Sequence, residues 1–223
     1  MRRIAVLASG GGSNLQAILD HLDALGADAP AAVSLVVSDR ADAHALDRAR
    51  SRGIAAVHLA RSEPEGALEQ VLTAHDTDLI ALAGYLRLIP PSVVRRWNGR
   101  MLNVHPALLP SFGGHGMYGH RVHEAVIASG VRLSGATVHF VNEQFDRGAI
   151  VAQWPVPVRL DDTAETLAAR VLQVEHRMYP WCVEAVARGT VRLGDDGRVC
   201  GALPYDFPRF GVEGPRHPFV PDA

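Results

Sequence analysis

Apolar residues in this chain fall into short, nearly unbroken runs separated by longer stretches in which they recur every three or four positions. The runs at 3–8, 33–38 and 78–83, with a weaker one at 54–59, have the pattern of parallel strands covered on both faces. Between them, 13–25, 42–52 and 65–75 show the spacing of helices with one apolar side. Strand, helix, strand repeats of this kind predict right-handed βαβ units, hence an α/β fold. Pro90-Pro91 suit a first helical turn and predict a short helix to Trp97, followed by a strand at 101–104. Further on, the pattern predicts a helix at 122–129, strands at 136–141 and 150–158, and a long helix at 162–188. Asp162 or Thr163 is placed to cap that helix, with Glu165 in its first turn.

Composition narrows the chemistry. Hydrophobic residues make up 48% and charged residues 21% of the 223, enough apolar mass for a sizeable core. The 22 basic and 24 acidic residues leave a formal charge of −2, so no global field holds a nucleic acid or an anionic membrane. All 22 basic residues are arginines. Without lysine, Schiff-base and pyridoxal chemistry and a Walker A site are excluded. Cys182 and Cys200 form no CxxC, which fits a reducing, cytoplasmic setting. The longest apolar stretch, 79–86, is far short of the roughly 18 residues of a spanning helix, so neither signal peptide nor membrane anchor is expected. Pro204, Pro208, Pro215, Pro218 and Pro221 predict an irregular tail.

Ser9-Gly10-Gly11-Gly12-Ser13-Asn14 lies between the first strand and the first helix, where backbone N–H groups and the positive helix end converge on an anion. Ser13 is a plausible cap for that helix. A merely tight turn is the plainer reading. A dinucleotide fingerprint is the sharper rival, but Leu15 stands where its third glycine belongs; Asp39, near the position of a ribose-binding acid, reads better as a cap or turn residue. The loop by itself says phosphate or carboxylate.

Asn103-Val104-His105-Pro106 puts two polar side chains on one face of a strand, at the end where open α/β sheets hold their ligands. Pro106 biases His105 toward an extended backbone. Taken alone, His105 is as easily an ordinary satisfied histidine, and Asp146, before Arg147-Gly148, as easily a turn acid. His115, His120 and His123 could face one ion, but neither HExxH nor a matched carboxylate accompanies them, and no metal is expected.

Together, the glycine loop, Ala83-Gly84-Tyr85-Leu86-Arg87-Leu88-Ile89, Asn103-Val104-His105-Pro106-Ala107-Leu108-Leu109-Pro110, Gly116-Met117-Tyr118-Gly119 and 138–146 resemble the phosphoribosylglycinamide formyltransferases over roughly the first 180 residues. The resemblance implies a single Rossmann-like, three-layer open sheet, parallel in its N-terminal half with mixed or antiparallel strands in its C-terminal half. Residues 1–100 would be the phosphate-binding half, 101–190 the catalytic and folate-binding half, and 191–223 a C-terminal strand and proline-rich tail. The implied reaction moves the formyl group of 10-formyltetrahydrofolate to the amine of glycinamide ribonucleotide in purine biosynthesis.

Asn103, His105 and Asp146 would carry the chemistry. Asn103 would donate to the tetrahedral oxyanion, and Asp146 would raise the His105 pKa so that a charged ring could donate or deliver the proton. Gly12, Ser13 and Asn14 would hold the phosphate; Glu175, on the long helix, would engage the substrate near its amine or ribose, unless it is only a solvated helical charge. Leu86, Arg87, Ile89, Val141 and Asp146 would line the folate pocket, with Leu86 and Ile89 equally plausible as core residues and Arg87 facing either the anionic folate tail or simply the surface. Two departures concern affinity: Leu172 stands where some relatives have a polar phosphate contact, and 60–67 lacks an obvious match to a folate-touching arginine. Methionyl-tRNA formyltransferase and formyltetrahydrofolate deformylase share the central signature but resemble longer chains with an extra domain. A metal-dependent hydrolase or a non-catalytic nucleotide-binding module fits less of the pattern. A homodimer is compatible with all of this.

Overall fold

The computed structural model describes residues 1–203; the proline-rich stretch expected to be irregular lies outside the described residues. Strands β1 (Arg2–Leu7), β2 (Ala31–Ser38), β3 (Ala55–His58), β4 (Leu79–Leu82), β5 (Met101–His105), β6 (Leu133–Phe140) and β7 (Ile150–Pro157) form one sheet in the order β3-β2-β1-β4-β5-β6-β7. β1 to β5 pair in parallel, and β6 and β7 join antiparallel.

Helices α1 (Ser13–Leu25), α2 (His44–Ser51), α3 (Ala67–Ala74), α4 (Pro91–Arg96), α5 (His120–Ser129) and α6 (Ala164–Arg188) flank the sheet. The apolar sides of α1, α2, α5 and α6 pack into one core with the side chains of one sheet face. Those of α3 and α4 pack into the core of the opposite face. For α1 to α4 this division follows from handedness: the chain runs outward through β1, β2 and β3, returns to β4, and right-handed crossovers then fall on opposite faces. The reversal sits between β1 and β4, so the loops leaving these strands diverge and open a crevice at their carboxyl ends.

Several boundaries differ from the sequence pattern for local reasons. Asp42 pairs with Arg40 at 3.2 Å in the preceding turn, and α2 starts after it. Of the two candidate caps for α6, Thr163 is the one used: it accepts from the Thr166 N–H while Thr166 Oγ1 accepts from its own N–H. Asp162 instead pairs with Arg170. Ser13 does not cap α1. The cap residue is Gly12, held at φ 70° with no side-chain cap bond, and Ser13 is the first helical residue. Within 191–203 the expected strand is a hairpin of β8 (Val191–Leu193) and β9 (Val199–Gly201).

One buried side chain of α6 fixes the floor beneath the crevice. The Tyr179 hydroxyl donates between the Leu82 carbonyl at 2.9 Å and the Leu102 carbonyl at 3.1 Å, bridging the last residue of β4 to the second residue of β5. No helix among the described residues is long and apolar enough to cross a membrane.

Candidate active site

A cleft of about 310 Å³ opens at the carboxyl ends of β4 and β5. Residues 84–89 form one wall, 114–119 another, and the loop from Val141 to Asp146 a third, with Asn103, His105 and His139 on its floor. All five residues expected at a folate pocket line it. Leu86 is 43% exposed and so is no core residue, whereas Ile89 is buried and serves both core and cleft.

The floor follows from register. Asn103 and His105 are two apart on β5, and antiparallel pairing sets His139 of β6 opposite Asn103. The loop after β6 then turns back, with Asp146 at φ 54°, a left-handed conformation that Asp tolerates better than most residues. Its Oδ2 accepts from the Gly114 N–H at 2.9 Å and lies 3.6 Å from His105 Nδ1; its Oδ1 lies 3.6 Å from His139 Nε2 and 3.4 Å from Asn103 Nδ2. The three residues named from the sequence therefore meet at one point, joined by His139.

The hydrogen bonds fix protonation. His139 Nδ1 donates to the Phe140 carbonyl at 2.8 Å, leaving Nε2 to accept from Asn103 Nδ2 at 3.1 Å. His105 Nε2 donates to the Phe112 carbonyl at 2.8 Å, leaving the Nδ1 lone pair toward Asp146. Burial pulls the His105 pKa down, and the opposing pull of Asp146 and of the Phe112 carbonyl is too weak to offset it. The expected net raising by Asp146 is thus reversed: at 3% exposure desolvation wins and the resting ring is neutral. Burial pushes the Asp146 carboxyl up, but His139 and His105, whenever either ring takes a second proton, and the Gly114 N–H together take it below its ordinary value. Asn103 is also corrected in detail: its amide hydrogens already face His139 and Asp146, so it donates to a ligand only by releasing one of them.

At the carboxyl end of β1 the glycine loop makes a second feature. A Cβ on Gly12 would come 2.9 Å from the Cα and Cβ of Ala45, so only glycine lets α2 press against the loop here. Arg48 of α2 donates from Nε to the Gly11 carbonyl at 2.8 Å. Asn14 donates from Nδ2 to Glu175 Oε2 at 2.7 Å, and among the described residues Asn14 Oδ1 has no partner. Glu175 is no solvated charge: it is 7% exposed, and burial pushes its carboxyl up to about 7. The three histidines that could have faced an ion are dispersed. His115 meets the Phe145 ring edge-on, His120 faces Glu124 and Glu165, and His123 is buried.

The formyl transferase family profile matches residues 2–183. The chain belongs to the formyl transferase family. It is 39% identical to a phosphoribosylglycinamide formyltransferase of Haemophilus influenzae over 88% of this chain and 92% of that one. It is 43% identical to the trifunctional purine biosynthetic protein adenosine-3 of Bos taurus over 89% of its own length, but spans only 20% of that protein. The crystal structure of glycinamide ribonucleotide transformylase 1 from Symbiobacterium toebii superposes with a TM-score of 0.82 at 41% identity, covering 89% of this chain and 93% of that one.

In this formyl transferase the buried Glu175 sets a pH-dependent stability. The folded protein keeps the proton from about pH 4.5, where the unfolded chain releases it, up to about 7. The folded state binds more protons in that window, so its contribution is complete below pH 4.5 and is lost as pH rises through 7. Glu175→Gln removes this dependence. Urea titrations at pH 5 and pH 7.5 are expected to show the wild-type protein losing a few kcal/mol more than the variant between the two; equal losses would show that Glu175 is ionised inside the fold.

Proposed function

We propose that this protein transfers the formyl group of 10-formyltetrahydrofolate to the amine of glycinamide ribonucleotide, releasing tetrahydrofolate and formylglycinamide ribonucleotide in purine biosynthesis. The observation that carries this reading is the convergence of Asn103, His105, His139 and Asp146 on the floor of one cleft. The family membership and the named relatives support the same chemistry.

The amine attacks the formyl carbon, forming a C–N bond and placing negative charge on the formyl oxygen and positive charge on the amine nitrogen. Collapse breaks the bond to the folate nitrogen, which must receive a proton. One proton therefore moves from the amine to the leaving nitrogen. The neutral His105 can take it at Nδ1, where the resulting cation is held between the Phe112 carbonyl and the ionised Asp146, and pass it to the folate nitrogen as the carbon–nitrogen bond breaks, which returns the ring to its neutral state. Asn103 can turn one amide hydrogen from its 3.4 Å contact with Asp146 to the developing oxyanion, exchanging a long hydrogen bond for a charged one.

Gly12, Ser13 and Asn14 present backbone N–H groups, and Ser13 its hydroxyl, to the phosphate. The unpartnered Asn14 Oδ1 and the partly protonated Glu175 supply acceptors and a donor for the ribose or amine. Leu86, Ile89 and Val141 give the folate its apolar walls, and Arg87, half-buried at the mouth, faces its anionic end. The protein acts in the cytoplasm without a resident metal.

A spectrophotometric assay tests the reading. Tetrahydrofolate release is expected only when both substrates are present, and at the same rate with and without EDTA. Release that needs no acceptor amine would assign a deformylase instead, and no release with either mixture would overturn formyl transfer.

A further inference from the structure

The cleft wall at 84–89 has no regular structure, yet it must keep its shape for a folate to fit. Among the described residues, two hydrogen bonds tie its backbone to the rest of the fold, and both end on Ser9. The Ser9 N–H donates to the Gly84 carbonyl at 3.1 Å, and the Leu86 N–H donates to Ser9 Oγ at 3.0 Å. The Ser9 hydroxyl spends its single proton on Asp39 Oδ1, 2.5 Å away at the end of β2. Ser9 is 3% exposed and immediately precedes the three glycines of the anion loop.

This arrangement gives Asp39 a task that a turn acid lacks. A hydroxyl donating to a carboxylate is polarised and becomes the better acceptor for the next donor in line. Asp39 thereby orients the Ser9 hydroxyl, leaving its lone pairs free for the Leu86 N–H. That bond fixes the residue whose side chain stands exposed on the cleft wall.

We propose that Ser9 and Asp39 are positioning residues for the folate half of the reaction, a hydroxyl–carboxylate clasp that holds the 84–89 wall against the end of β1. The role rests on the assignment of the cleft to the folate. It is confined to that substrate, because the backbone of the glycine loop is held without the Ser9 side chain: the Gly10 carbonyl accepts from the Ala45 N–H at 3.1 Å and the Gly11 carbonyl from Arg48 Nε at 2.8 Å.

Three variants test it: Ser9→Ala, Asp39→Ala and the conservative Asp39→Asn, which keeps an acceptor oxygen. Calorimetric titration with tetrahydrofolate and steady-state kinetics with both substrates are the readouts. Ser9→Ala is expected to weaken tetrahydrofolate binding and raise the KM for 10-formyltetrahydrofolate by about tenfold, the scale of one lost hydrogen bond. Its kcat should stay within about threefold and its KM for glycinamide ribonucleotide within about twofold, well below that same hydrogen-bond scale. Asp39→Ala should follow in the same direction and Asp39→Asn should restore most of the affinity. Unchanged tetrahydrofolate affinity in Ser9→Ala overturns the clasp, as does a parallel loss of kcat and both KM values, the mark of general loosening. If the unaltered protein binds no tetrahydrofolate, the folate assignment of the cleft falls and takes this role with it.

Discussion

Asp146→Asn is expected to lower kcat by about a hundred- to a thousandfold, the scale on which one electrostatic partner of a transition state is lost. The variant is nearly isosteric, and asparagine tolerates the left-handed φ of 54° as aspartate does, so the loop keeps its path. The Asn oxygen can still accept from the Gly114 N–H, now 2.9 Å from Oδ2. What disappears is the negative charge 3.6 Å from His105 Nδ1. A proton arriving on that nitrogen then makes a cation in a desolvated pocket with only the Phe112 carbonyl to face it. Because Asp146 opposes the effect of burial on His105, the ring in the variant should titrate lower still. Steady-state kinetics, with NMR titration of the His105 ring and a thermal melt as the control for folding, check all three statements. Wild-type turnover in a folded Asp146→Asn protein would remove the carboxylate from the chemistry.

The seven-stranded architecture and the site differ in how far their amino-acid sequence discloses them. β1, β2 and β4 are legible because a strand covered on both faces must be apolar along its length. Asn103 and His105 are legible because two polar residues at strand spacing interrupt such a run at the end where ligands bind. His139 carries no comparable local mark. It sits in a strand that also contains Thr137, and its place opposite Asn103 exists only once β5 and β6 have paired in one register. The state of His105 is misread for the same reason: the sequence displays the carboxylate that raises its pKa, but not the burial that lowers it further. Glu175 is a helical charge by sequence and a buried, partly protonated acid in the fold, because its partner Asn14 is 161 positions away. Ser13 looks like a helix cap until Gly12 takes that position in a left-handed conformation that a side chain would strain.

Gly148→Ala is expected to be as damaging to turnover as removal of the Asp146 charge, although Gly148 does not line the cleft. A Cβ built on Gly148 falls 1.7 Å from the Phe140 carbonyl oxygen and 2.8 Å from its carbon. Neither atom can step aside. The oxygen accepts from His139 Nδ1 at 2.8 Å, and the Phe140 N–H donates to the Ala149 carbonyl at 2.9 Å. The 141–149 loop must therefore lift from the end of β6. Lifting carries Asp146 away from His105 and His139, and it frees the His139 ring from the carbonyl that sets its tautomer. Overpacking of this kind costs about 1–3 kcal/mol, so the protein should still fold with a lowered Tm. The expected kcat is lower by about a hundredfold or more, within the range for losing such a partner altogether. On the proposed phosphate site, inorganic phosphate should bind variant and parent alike, because the glycine loop after β1 is untouched. Kinetics, a thermal melt and phosphate titration separate these effects. Full activity in Gly148→Ala would mean that the loop can part from Phe140 while Asp146 stays where it is, and the coupling of that one carbonyl to the catalytic floor would be refuted.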